Sequence, residues 1–185
     1  MAKNADGERS KDIIAYVFNA IDKQEIALSE DDAYHLMQKF CEVVFDEDQN
    51  YYATTTDEDI DNINHSSENS AAKHFIFKFP KIKPNNLRRI FVLSSVDIFH
   101  KLSAEMQSDL KDQVEGGALI YVLIHPNPNS VNFGVYGDFA VGEYSERSEK
   151  IRFRKVQVGR QKKYFGELAA RAKKVIVKDG RLLLE

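Results

Sequence analysis

Apolar positions follow a helical spacing in the first part of the chain. Apolar residues four positions apart, such as Val17 and Ile21, predict an amphipathic helix over 11–28. A second helix is predicted over 30–45, because Ser29 suits an N-cap and the acidic residues after it suit the positive end of the helix dipole. Together these segments predict an N-terminal helical hairpin.

An acidic, polar stretch follows the predicted hairpin. Residues 46–73 predict a loop with one short helix near 57–64. A loop of this length is typical of a boundary between regions. We therefore expect an acidic helical region with its loop over 1–70 and an α/β core over 71–185.

Strand and helix patterns alternate through the predicted core. A buried strand, a helix and a second buried strand in succession favour parallel pairing. The expected fold class is α/β (mixed α+β), with a central, mostly parallel mixed sheet flanked by helices. The predicted elements are strands at 74–79, 87–95, 118–126 and 151–158, two short strands within 132–146, helices at 96–115 and 160–173, and a hairpin turn at 179–180.

Composition limits the environment in which such a chain works. Its 185 residues are 43% hydrophobic and include one cysteine, Cys41, which excludes an internal disulfide and fits a reducing compartment. Cys41 falls in the apolar pattern of the second helix, so we expect it to be buried. The first residues contain no apolar signal core, and no apolar run approaches the roughly 20 residues of a membrane span. We therefore expect a cytoplasmic protein with no membrane partner.

Charge is unevenly distributed along the chain. Residues 1–70 hold 5 Lys/Arg and 17 Asp/Glu, a net charge of −12, whereas residues 71–185 carry a net charge of +9. Segregation of this kind indicates either separate partners for the two parts or docking of the acidic part on the basic part.

From residue 87 to residue 173 the order of elements resembles a phospholipase D-like domain. A buried strand leads to a long helix, a glycine precedes the strand ALIYVL, and VNFGVYGDFAVGEYSE supplies a strand that ends at an aspartate with a glycine shortly after it. Active members of that family carry His-x-Lys and then Asp at the positions that match Val131, Phe133 and Asp138. Only Asp138 is retained here.

The residues at positions 131 and 133 cannot perform the reaction of the active family members. Valine cannot act as the histidine nucleophile and phenylalanine cannot hold a phosphate. The family's later Ser and Asn fall on Glu143 and Ser145, which also departs from the pattern. The resemblance therefore implies a degenerate, non-catalytic version of the domain, similar to sensor or interaction domains of bacterial regulators. It also implies a homodimer, because active members need two half-sites.

An alternative hypothesis is that the chain keeps hydrolase activity through other polar residues near this segment. Asp138, Glu143 and His125 would have to act with a metal in a phosphodiester hydrolase. His125 with Asn127 and Asn132 also repeats part of the family spacing, but prolines interrupt the strand that the motif needs, which favours a structural role for this histidine.

Acidic residues in the predicted loop match a calcium-binding spacing. Asp57, Asp59, Asp61 and Glu68 occupy positions 1, 3, 5 and 12 of such a loop. A solvated acidic loop is the favoured interpretation, because the preceding residues make a poor entering helix. We assign no metal and no cofactor.

Basic residues form two groups that would create a phosphate-binding patch if they met in space. Ser94, Ser95 and Asp97 form a separate candidate, where a strand feeds a helix, although N-capping by one of the serines is the favoured interpretation. The candidate polyanion-binding residues are Lys81, Lys83, Arg88, Arg89, Arg152, Arg154, Lys162 and Lys163.

Taken together, these patterns favour a non-enzymatic regulatory or interaction module. Two alternatives stay open at this point. One is a protein that binds nucleic acid or another polyanion through its basic core, and the other is the metal-assisted phosphodiester hydrolase.

Overall fold

The computed structural model describes residues 25–28, 30–65, 73–145 and 148–185. Nine strands run through these residues: β1 (Glu25–Leu28), β2 (Tyr51–Thr56), β3 (Leu87–Leu93), β4 (Leu119–Ile124), β5 (Phe133–Tyr136), β6 (Ala140–Ser145), β7 (Ser148–Arg152), β8 (Lys173–Lys178) and β9 (Arg181–Leu184). The α-helices among them are α1 (Glu30–Asp46), α2 (Asp57–His65), α3 (Val96–His100), α4 (Ala104–Glu115) and α5 (Lys155–Ala169).

The strands form one mixed sheet in the order β1-β7-β6-β5-β2-β3-β4-β8-β9. β2 pairs parallel with β3, and β3 pairs parallel with β4. The remaining neighbours pair antiparallel. The mixed α/β fold class is therefore confirmed, but the sheet is not mostly parallel, since parallel pairing is limited to its three central strands.

β2 occupies the middle of the sheet, where the sequence predicts a loop. Tyr51 is in register with Leu87 of β3 on one side and with Tyr136 of β5 on the other. The loop predicted over 46–73 is therefore wrong for these residues, while the short helix near 57–64 is confirmed as α2. Residues on both sides of position 70 thus share one sheet, and the boundary expected there does not separate the helical region from the core strands.

The N-terminal prediction is correct only in its second half. The helix expected over 30–45 is confirmed as α1, and Cys41 on that helix is buried as expected. The helix expected over 11–28 is wrong at its end, because β1 pairs antiparallel with β7 there. Its earlier part, and with it the predicted helical hairpin, lies outside the described residues.

Both faces of the central strands are covered by helices. On β3, Phe91 faces a layer made by α1 to α4, whereas Ile90 faces α5. Each of these two side chains is 0% exposed. This double burial explains why β3 is apolar at successive positions instead of alternating with polar residues.

Segment 74–79 is not the strand that its alternating phenylalanines predict. His74–Lys78 forms a π-helical turn, and a 3₁₀ turn over Phe79–Ile82 follows it. Phe75, Ile76 and Phe77 are all buried, which a strand with one covered face would not require. The apolar run packs as a turn on the side of the sheet that α1 to α4 cover, where its carbonyl groups accept hydrogen bonds from buried donors.

Two helix boundaries also differ from the prediction. The single helix expected over 96–115 is divided into α3 and α4, and Ser103 caps α4 by accepting a hydrogen bond from the N–H of Met106. The strand expected over 151–158 ends at Arg152, and α5 begins at Lys155. α5 therefore starts earlier than the predicted helix over 160–173.

Both predicted hairpins are present. β5 and β6 pair antiparallel around Gly137 and Asp138. β8 and β9 pair around Asp179 and Gly180, whose φ angles of 51° and 72° match the turn that two-residue hairpins favour. Among the described residues, no helix is long and apolar enough to cross a membrane.

Candidate functional site

The carboxyl ends of the parallel strands bring several of the predicted polar residues to one edge of the sheet. Open α/β sheets place ligands at this edge. Asp57 follows β2 directly, and its carboxylate accepts the backbone N–H of Ser94 at 3.1 Å (Oδ1) and 3.2 Å (Oδ2). Asp57 therefore bridges the ends of β2 and β3.

Asp59 is a half-buried carboxylate at the same edge. Its Oδ2 accepts the backbone N–H of Thr56 at 2.6 Å and the Thr56 hydroxyl at 3.0 Å, and Asn132 Nδ2 lies 3.2 Å from each oxygen. Burial raises the pKa of Asp59 above its usual value, and the hydrogen bonds from Thr56 and Asn132 oppose that shift. The side chain ties α2 to the segment before β5.

The structure does not form the calcium loop. Asp57, Asp59 and Asp61 lie on an α-helix, where successive odd positions point in different directions, so their oxygens cannot converge as those of a calcium loop do. Asp61 is exposed, and Glu68 lies outside the described residues. No group of three or more His, Cys, Asp or Glu side chains in the described part of the chain is placed to hold a metal ion.

Ser95 and His125 have structural partners at the same edge. Ser95 Oγ accepts the N–H of Asp97 at 3.2 Å, which confirms the N-cap interpretation. His125 donates its backbone N–H to Leu93 at 2.8 Å, and its Nδ1 accepts the N–H of Asn127 at 3.1 Å. The imidazole therefore supports the loop after β4.

The segment expected to match the family motif runs from a 3₁₀ turn (Pro128–Val131) through β5 to the β5–β6 turn. Val131 and Phe133 are 4% and 2% exposed, and they belong to the apolar cluster that includes Phe165 of α5. Asp138 lies in the exposed β5–β6 turn, where its Oδ1 accepts a hydrogen bond from Lys162 Nζ at 2.6 Å. The hydrogen bond and the charge of Lys162 hold the pKa of Asp138 below its usual value.

Asp138, Glu143 and His125 do not come together. The β5–β6 turn lies beside the amino end of β2, because Gly137 donates its N–H to the carbonyl of Asn50, whereas His125 follows the carboxyl end of β4. Glu143 lies on β6 and pairs with Arg152 of β7. β6 is four positions from β4 in the sheet, which separates the two strands by about 19 Å at the usual strand spacing. The three residues that the hydrolase alternative needs are therefore separated.

The first group of basic residues is used largely within the fold. Arg89 is 1% exposed and donates from Nη1 to the carbonyl of Ile76. The prediction that Arg89 binds a polyanion at the surface is therefore wrong. Its burial lowers its pKa. Lys83 donates to the carbonyl of Phe45 at 2.6 Å, and Arg88 donates to the carbonyl of Asn85 at 2.6 Å. The side chain of Lys81 lies outside the described residues.

The two basic groups approach each other at Tyr52. Arg88 is in register with Tyr52, so both side chains leave the sheet on the same side. Lys162 Nζ lies 5.5 Å from the centre of the Tyr52 ring, within cation–π range. Tyr52 thus lies next to one residue of each group, Arg88 and Lys162, and Lys162 is paired with Asp138.

The remaining basic residues cover the outer side of α5. Val158, Phe165 and Leu168 anchor this helix on the sheet. Arg154, Lys155, Arg160 and Lys163 are all exposed on the opposite side or at its start, and we call them the α5 face. Lys163 lies 3.9 Å from Glu167, an exposed pair of the kind that contributes little to stability.

Sequence reasoning missed the buried roles of Arg89, Asp59 and Gln113. The side chain of Gln113 on α4 is 0% exposed, and its Nε2 donates to the carbonyl of Phe77 at 2.6 Å. The available signal was position: Arg89 lies inside an apolar strand, and the Tyr- and Thr-rich segment before Asp57 has strong strand propensity.

Comparison with protein-family models, curated proteins and solved structures gave no match.

Proposed function

We propose that the chain is a non-enzymatic interaction or regulatory module that binds an anionic partner, such as a nucleic acid, through the α5 face. The observation that carries this proposal is the exposure of Arg154, Lys155, Arg160 and Lys163 on or directly before one helix, which itself contains a single acidic residue, Glu167. Clustered cations on a helix attract phosphate groups, and they release counterions when a polyanion binds.

The start of α5 carries cations at the end of the helix where the dipole is positive. The first turn contains no acidic residue, and Arg154 and Lys155 stand at the positive end of the helix dipole. A cation there costs roughly 0.3–1 kcal/mol at an exposed position. The charge of Lys155 also helps to lower the pKa of Asp138. Cations and a positive helix end together favour the approach of an anion.

Apolar side chains accompany the cations on α5. Val156 is 85% exposed and Tyr164 is 37% exposed. The Tyr164 ring centre lies 5.9 Å from that of Phe133, so the ring is held on the surface by a buried neighbour. A fixed aromatic ring beside cations suits stacking with the bases of a single strand.

The non-catalytic part of the proposal rests on the motif positions. Val131 and Phe133, which match the histidine and lysine of the active phospholipase D-like family, are buried against Val158 and Phe165. Hydrocarbon side chains at these positions support a scaffold role for the degenerate core. The proposal includes action in the cytoplasm and assembly as a homodimer.

Fluorescence anisotropy with a labelled single-stranded DNA of about 12 nucleotides tests the α5 face. Reversing two charges with Arg160→Glu/Lys163→Glu should weaken binding at least about ten-fold. The salt slope should fall by about 1.4, because each of the two lost phosphate contacts contributes about 0.7 on a single strand. Short single strands keep the measurement within one binding site.

Lys39→Glu/Lys101→Glu provides the matched control. Both lysines are exposed and lie outside α5, and this pair changes the net charge by the same amount. The proposal requires the control to bind almost as tightly as the unmodified chain. Equal weakening by both pairs of substitutions, or no binding at low salt, would contradict it.

A further inference from the structure

The outer edge of β9 points to a surface for self-association. β9 ends the strand order, and within the described residues no strand pairs with its outer side. Its sequence, Arg-Leu-Leu-Leu, places apolar side chains on an edge strand that carries no proline, and Leu183 is 42% exposed. Edge strands of this kind are templates for pairing with another chain.

Backbone geometry decides which groups of β9 are available. Lys174 and Glu185 exchange two hydrogen bonds, from N–H to carbonyl, at 2.8 and 2.9 Å. Hydrogen-bonded and non-hydrogen-bonded pairs alternate along an antiparallel ladder, so Leu183 also bonds to β8, whereas Leu182 and Leu184 do not. The N–H and carbonyl groups of Leu182 and Leu184 therefore point to the outer edge.

We propose that β9 pairs antiparallel with β9 of a second copy of this chain, with Leu183 on the two-fold axis. This register matches Leu182 of each subunit with Leu184 of the partner subunit, which satisfies all eight outward backbone groups with four hydrogen bonds. It is also the antiparallel register that gives every leucine of β9 a leucine opposite it.

Charge complementarity supports the same register. When Leu183 lies on the axis, Arg181 of one subunit stands directly opposite Glu185 of the partner subunit, on both sides of the axis. Directly opposed unlike charges stabilise antiparallel pairs, whereas like charges destabilise them. The edge is therefore complementary to itself in hydrogen bonding, in apolar contact and in charge.

The leucines of β9 present apolar surface on both sides of the sheet. Leu182 and Leu184 are partly buried against the main core cluster, and Leu183 lies on the other side of the sheet. A second β9 would cover the exposed remainder of all three leucines. A four-residue strand pair buries less surface than the roughly 1,200 Å² of a standard interface, so we expect a dissociation constant in the micromolar range.

Sedimentation velocity over total concentrations of about 1–500 µM tests the pairing by charge exchange, across a range that brackets a micromolar dissociation constant. Arg181→Glu or Glu185→Arg alone opposes like charges twice and should raise the dissociation constant about ten-fold. The double exchange Arg181→Glu/Glu185→Arg restores both pairs and should return the constant close to that of the unmodified chain.

Leu182→Pro tests the backbone bonds separately. Proline removes an N–H that points away from β8, so the subunit keeps its own ladder while the dimer loses two of its four bonds. We expect a monomer over the same concentrations, with a thermal transition that stays cooperative although the lost packing of Leu182 lowers it. A chain that is monomeric throughout, or a dimer that Arg181→Glu and Leu182→Pro leave intact, would overturn the proposal.

This inference assigns a surface to the homodimer of the proposed function, and its failure can be told apart from failure of the anion site. The β9 edge does not include the α5 face, so Leu182→Pro should leave the affinity for the 12-nucleotide DNA unchanged. Conversely, Arg160→Glu/Lys163→Glu should leave the dimer dissociation constant unchanged.

Discussion

Asp59 is a carboxylate that the fold encloses and uses as a bridge. It accepts hydrogen bonds from both the backbone and the hydroxyl of Thr56, and Asn132 reaches it from the segment before β5. These bonds favour the charged form, but burial outweighs them and raises the pKa of Asp59. The folded state therefore holds its proton more tightly than the unfolded chain does.

That raised pKa makes a contribution to stability that depends on pH. Because the folded pKa lies above the unfolded value of about 3.9, this contribution is fully present at lower pH and is lost as pH rises through the folded pKa. Asp59→Asn removes the titration while keeping an acceptor for Thr56. We expect the variant to gain stability relative to the unmodified chain as pH increases from about 4, up to a plateau.

Urea unfolding of both proteins between about pH 4 and pH 8 measures this difference, with the pH range set by the ordinary aspartate pKa. Asp61→Asn is the matched control, since Asp61 is an exposed aspartate on the same helix. A difference between Asp59→Asn and the unmodified chain that stays constant with pH would show that Asp59 is not enclosed as described.

These aspartates also show the limit of spacing as a predictor of chemistry. Asp57, Asp59 and Asp61 match a calcium loop only if the backbone wraps around an ion. In a helix the same spacing turns each side chain by about 200° relative to the one before it, so no common centre exists. The sequence identified the polar residues at this edge, but their partners Ser94 and Asn132 were decided by tertiary contacts.

Among the elements, the π-helical turn His74–Lys78 departs furthest from its sequence pattern. Its phenylalanines alternate as in a strand, but the carbonyls of Ile76 and Phe77 accept hydrogen bonds from buried donors on β3 and α4. Gln113 is 0% exposed, and its Nε2 lies 2.6 Å from the Phe77 carbonyl. A long-range contact from residues 36 positions away is not visible in local periodicity.

Gln113→Leu should destabilise the chain by about 1–3 kcal/mol, because the buried carbonyl of Phe77 loses its partner. Gln107→Leu is the control on the same helix. Its Nε2 donates to the carbonyl of Leu102 at 2.8 Å, but the side chain is exposed and water can replace the bond. Chemical denaturation should therefore show a much smaller loss for Gln107→Leu, and equal losses would contradict the buried role of Gln113.

At the scale of the whole molecule, the elements predicted correctly are those with a strong local pattern. β3, β4 and the two hairpins follow from apolar runs and turn residues, and α1 follows from its helical spacing. β2 was missed because YYATTT is polar and lies between acidic segments. Thr54 of β2 is nevertheless buried. Its hydroxyl is satisfied there, because it donates to the carbonyl of Phe133 and accepts the N–H of the same residue.

The central position of β2 predicts that residues 71–185 do not fold without the preceding part. Removing β2 leaves β3 and β5 without the strand that joins them, and it exposes two unpaired edges in the middle of the sheet. We expect a fragment of 71–185 to show no cooperative urea transition. A fragment that unfolds cooperatively near the midpoint of the full chain would show that β2 is dispensable.

Hydrogen exchange on the full chain tests the same arrangement without truncation. Amides of β2 and β3 have paired neighbours on both sides, so they should exchange only through global unfolding. At concentrations that keep the chain monomeric, the outward amides of Leu182 and Leu184 should exchange fastest among the strands of the β8–β9 hairpin. If β9 pairs with a second copy, those two amides should slow as concentration rises. Exchange in β2 should also slow, because dimerisation stabilises the folded chain against global unfolding. In Leu182→Pro, exchange of the Leu184 amide and of the β2 amides should not depend on concentration.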